Sequence, residues 1–140
     1  MLFAGCADNG VTTQEFIARA DAICSEMKED IEALPSPRLP SEIGPHVNAS
    51  AQVISRGLDR VRALEYPEKD RPTVEAFLER ATEAVGYLPG LGRAAAKNQT
   101  VKLQETTSKL EAASERAREI ARAFGFKVCG GVSDQDLASP

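Results

Sequence analysis

The sequence predicts an all-α fold, an up-down-up-down four-helix bundle, and three observations carry that prediction. Four segments repeat apolar residues at helical spacing. The connections between them are short and rich in proline or asparagine. Aromatic residues make up only 5% of the chain, with no tryptophan, against a hydrophobic share of 42%. Apolar stripes of helical period are buried by packing on other helices, and short connections set neighbouring helices antiparallel. A three-helix bundle with one broken helix is the lesser alternative. At 140 residues the chain has room for one domain. Its net charge of −4 lacks the basic footprint of a nucleic-acid binder. No apolar run is long enough to span a bilayer.

The first helix follows Thr12-Thr13-Gln14-Glu15, where Thr12 and Glu15 have capping-box spacing. Phe16, Ala20, Ile23, Met27 and Leu34 then form an apolar stripe, flanked by Ile17, Cys24 and Ile31. Glu15, Asp21, Glu26, Glu29 and Asp30 make up the wet side. The run ends in "LPSPRLPSE", whose three prolines forbid continuation.

The second helix starts near Ser41 or Pro45 and carries Val47, Ala51, Ile54, Leu58 and Val61 inward until "EYPEKDRP" stops it. Asp70 is the expected N-cap of the third, with Pro72 tolerated in the first turn. Val74, Leu78, Ala81, Val85 and Leu88 line that helix. "YLPGLG" is expected to kink or break it near Pro89, and the apolar register carried on through Leu91 to Ala95 favours a kink. After a turn at "KNQT", the fourth helix places Leu103, Leu110, Ala117 and Phe124 seven apart. Its ion pairs are expected at Glu105–Lys109, Glu115–Arg118 and Glu119–Arg122.

"AFGFKVCGG" closes the helical part. Gly125 suits the left-handed position that ends a helix, and Phe126 the apolar residue that follows it in a Schellman cap. The strap then reaches Cys129. Cys24 lies on the inner stripe of the first helix, about 16 Å from its start, and a strap from Gly125 to Cys129 reaches about 13 Å. If the strap doubles back along the groove between the first and last helices, the two sulfurs can meet. In a reducing compartment the same residues would be two buried thiols.

Three cysteines, no CxxC and a single histidine give poor support to a zinc or haem site. His46 has no orienting partner identifiable from spacing, and a surface histidine is expected there. The acidic residues form no ExxH or paired-acid pattern of di-iron bundles. No catalytic, cofactor-binding or metal-binding residue is therefore assigned, and no enzyme is expected.

"LFAGC" resembles a bacterial lipobox, with Cys6 as the residue that takes a diacylglycerol. The five residues before it are too few to direct export, which implies a start further upstream. "FIARADAIC" and "AFGFKVCGG" together resemble a family of small exported helical proteins of actinobacteria, secreted or lipid-anchored, with one cysteine in the first helix and one after the last. The resemblance implies a Cys24–Cys129 bridge, an extracytoplasmic address and a membrane partner reached through Cys6. It carries over no activity.

The expected organisation is a signal remnant and tether over 1–11, a bundle domain over 12–131 and a disordered tail over 132–140. The expected role is non-catalytic binding or structure in the cell envelope, with a protein or small-molecule partner. The alternative is a small-ligand carrier or sensor with an apolar cavity at Pro89, near Leu88 and Leu91.

Overall fold

A computed structural model describes residues 10–131. Segment 1–9, which holds Cys6, and segment 132–140, expected to be a disordered tail, lie outside the described residues. Four helices pack together with no strand among the described residues: α1 (Thr13–Glu32), α2 (Pro40–Arg62), α3 (Arg71–Ala96) and α4 (Thr100–Phe124). A single 3-10 turn, Glu68–Asp70, leads into α3.

Several helix ends have an identifiable chemical cause. Thr12 Oγ1 accepts the Glu15 N–H at 3.1 Å and starts α1. The reciprocal bond does not form, because the Glu15 carboxylate turns to Arg19, 3.9 Å away. Pro40 opens α2, where its missing N–H costs nothing. Leu39 in front of it has no acceptor to offer, and the Glu42 carboxylate reaches back to the N–H groups of Arg38 (2.7 Å) and Leu39 (3.1 Å). These two bonds hold the Glu42 carboxyl below its ordinary value of 4.5. A depressed folded value means that stability from this cap is complete above the ordinary value and is lost as pH falls through the folded one. Acidification below about pH 4.5 is therefore expected to fray the first turn of α2, seen as faster exchange of the Arg38 and Leu39 amides by NMR.

Asp70 occupies the expected position before α3 but does not cap it. Its carboxylate accepts from Thr13 Oγ1 on α1, tying two helix starts together. At Pro89 a full stop is not what occurs. α3 runs unbroken to Ala96, although Pro89 leaves the Val85 carbonyl without its helical N–H partner. Packing on both sides outweighs that loss. α3 is the most extensively packed helix, lying against α2 and α4, and Gly92 sets its backbone close to Gly44 of α2. A β-carbon at Gly92 would stand 3.3 Å from the Gly44 Cα.

Asn98, at φ 54°, turns the chain between α3 and α4. α4 ends as a Schellman motif. Gly125 has φ 110°, its N–H donates to Arg122 O (3.2 Å), and the Phe126 N–H donates to Ala121 O (2.9 Å). Gly125→Ala is expected to cost about 1–2 kcal/mol, because an L side chain is strained at that φ and its Cβ would lie 3.3 Å from Ile17 Cδ1. Chemical denaturation would measure the loss.

The core is unequal along the bundle. Phe16, fully buried, sits among Tyr66 (5.4 Å between centroids), Phe124 (6.1 Å) and Phe126 (5.9 Å), and Phe77 packs on Phe126 at 5.2 Å. Four of the five phenylalanines in the chain thus meet at one end, where α1 begins and α4 finishes. Toward the other end the buried residues are mostly small, Ala51, Ala84, Ala94 and Gly92 among them, and Leu34, Leu88, Leu91, Leu103 and Leu110 are only half-buried. Small side chains there let backbones approach and leave leucines at the rim.

Candidate functional site

The α1–α4 seam differs from the other three. The backbones of the two helices stay apart, and the gap is closed by aromatic side chains and by residues 126–131. Phe126, 4% exposed, drops into the core from the end of α4. The strap then doubles back over Ala121 and Arg122 at Gly130, and over Arg118 at Gly131. This return along the groove places Cys129 against Cys24. The two are joined by a disulfide with Cα atoms 5.2 Å apart, linking positions 105 residues distant in sequence.

Asp21 is the second fixing point. Its carboxylate accepts the N–H groups of Lys127 (3.0 Å), Val128 (2.9 Å) and Cys129 (2.9 Å). Three convergent donors around one anion satisfy backbone groups that a strap outside any helix would leave to water. Sequence reasoning placed Asp21 on the wet face of α1. The one available signal was its position a single turn before Cys24. The Cys129 sulfur has no hydrogen once bridged, so its 3.2 Å approach to the Ala20 carbonyl oxygen is a packing contact. Asp21→Ala is expected to lower stability by about 1–3 kcal/mol through loss of the hydrogen bonds to its charged carboxylate, read as a fall in denaturation midpoint with the disulfide intact.

Beside the strap lies an open groove of about 530 Å³. Met27, Ile31, Ile54 and Val128 give it an apolar lining, the bridged Cys24 and Cys129 form part of its wall, and Lys28, Lys127 and Glu32 also line it.

His46 lines a different groove, of about 720 Å³, with Pro35, Pro37, Pro45 and Glu42. Its ring is half-buried rather than freely exposed, and its Nδ1–H donates to the Pro35 carbonyl at 3.0 Å. That partner lies 11 residues upstream in the loop after α1, which helical spacing could not reveal. Glu42, the carboxylate in this groove, is already bonded to two backbone N–H groups. Among the described residues no cluster of three or more His, Cys, Asp or Glu side chains could hold a metal ion.

The trough beside Pro89, about 540 Å³, is an open furrow between α2 and α3 lined by Ala51, Gln52, Arg56 and Val85. Neither Leu88 nor Leu91 lines it.

No helix among the described residues is long and apolar enough to cross a membrane. The Cys24–Cys129 bond is consistent with an oxidising, extracytoplasmic environment. Comparison with protein-family models, curated proteins and solved structures returns no match.

Proposed function

We propose that this chain is an exported domain of the cell envelope, held to the membrane by a lipid on Cys6, that works by binding or as a structural element and not by catalysis. The observation that carries the reading is the Cys24–Cys129 bond. A disulfide that joins the first helix to the chain's return strap has a structural purpose, and such bonds persist where the environment is oxidising. "LFAGC" supplies an address of the same kind, and it leaves Cys6 outside the pair as the cysteine with a separate fate. The resemblance to small exported actinobacterial helical proteins points the same way.

Expression in a high-GC Gram-positive host from the native upstream sequence tests this. Metabolic labelling with an alkyne fatty acid should mark the mature chain, and Cys6→Ser should abolish both the label and membrane fractionation. Non-reducing peptide mapping should recover Cys24 joined to Cys129. An unlabelled cytosolic chain with three free thiols would overturn the proposal.

A further inference from the structure

We infer that the groove beside the disulfide strap binds a single-chain anionic amphiphile, a long-chain fatty carboxylate. The inference concerns the isolated protein and holds wherever the chain resides. Three features of the groove converge on that chemistry.

Its volume, about 530 Å³, falls within the range of small-molecule sites. Met27 and Ile31 of α1, Ile54 of α2 and Val128 of the strap offer an apolar bed for an alkyl chain, and Val128 is 37% exposed. A methylene chain lying on that surface takes its apolar area out of water.

Charge sets the polarity of the ligand. Lys28 and Lys127 both line the groove, one from α1 and one from the strap, and neither has an ion-pair partner among the described residues. An ammonium group is a flexible point charge that suits a small anion at the edge of an apolar surface. Glu32, one turn beyond Lys28, repels an anion from its own end of the groove. The ligand's carboxylate is therefore assigned to Lys28 and Lys127, with its alkyl chain on Met27, Ile31, Ile54 and Val128.

The backbone argues against an extended peptide as occupant. A peptide adding to this wall would need free main-chain donors. The N–H groups of Lys127, Val128 and Cys129 are already held by Asp21, and that of Gly131 by the Val128 carbonyl. An alkyl chain makes no such demand.

The test uses the full chain, oxidised, with cis-parinaric acid as fluorescent probe below its micellar concentration and palmitate as competitor. Saturable binding of one probe per chain is expected, with displacement by palmitate and at least tenfold weaker displacement by methyl palmitate, which lacks the charge. Lys28→Ala/Lys127→Ala should weaken probe binding at least tenfold with an unchanged melting temperature, since both side chains are exposed. Non-saturable uptake, equal competition by the ester, or unaltered binding by the double variant would each overturn the inference.

Discussion

Cys24→Ala/Cys129→Ala should lower the stability of the oxidised protein by about 4–5 kcal/mol, the chain-entropy value for closing a loop of roughly a hundred residues. The bond spans 105 residues of the chain, so nearly the whole domain lies inside the loop. For a domain of this size the loss corresponds to a melting temperature lower by roughly 12–20 °C. The denatured state should respond as well. Without the cross-link it expands and exposes more surface, so the denaturant m-value should rise in the double variant and in the reduced wild type alike. A loss under 1 kcal/mol would mean that residual structure already constrains the denatured chain, so that the cross-link removes little of its entropy.

Phe16→Ala should be the most damaging single substitution in the core. The side chain is wholly buried and touches rings contributed by the α2–α3 connection, α4 and the strap. Truncation of a buried phenylalanine costs about 3–5 kcal/mol, and the edge-on ring pairs lost with it place the value in the upper half of that range. Leu88→Ala, at the half-buried end, should cost well under half as much, because that side chain already meets solvent and leaves a smaller cavity. Urea denaturation of the two variants side by side measures the contrast. Equal losses would show that the core is uniform along the bundle.

Features that depend on neighbours in sequence were legible before the structure. The four helices and the Schellman cap at Gly125 and Phe126 follow from residues a few positions apart; the strap's return to Cys24 was permitted by its reach and implied by the resemblance, with two free thiols left open. Features that depend on partners arriving from afar were not. Asp21 reads as a solvated carboxylate until the N–H groups 106–108 residues later in sequence converge on it. Asp70 reads as an N-cap, and only the folded bundle brings Thr13, 57 residues away in sequence, to it. Surface ion pairs were legible in part, because exposed partners differ little in energy and the choice among them is nearly free. Glu115–Arg118 forms as spaced, whereas Arg122 passes over Glu119 for Glu115. At the groove, apolar residues of α1, α2 and the strap share one concave surface that no single helical stripe contains.

The aromatic cluster also bears on how fast the domain forms. Helical bundles fold quickly when their contacts are local, and rates fall as contacting residues lie farther apart along the chain. Here Phe16 meets Phe124 and Phe126 only after both ends of the domain have come together. The best-packed part of the molecule is therefore the part whose closure entropy is largest, and helices can appear well before it assembles. Refolding from the reduced chain should then lag behind that of the cross-linked chain, in which Cys24 and Cys129 keep those ends within reach throughout.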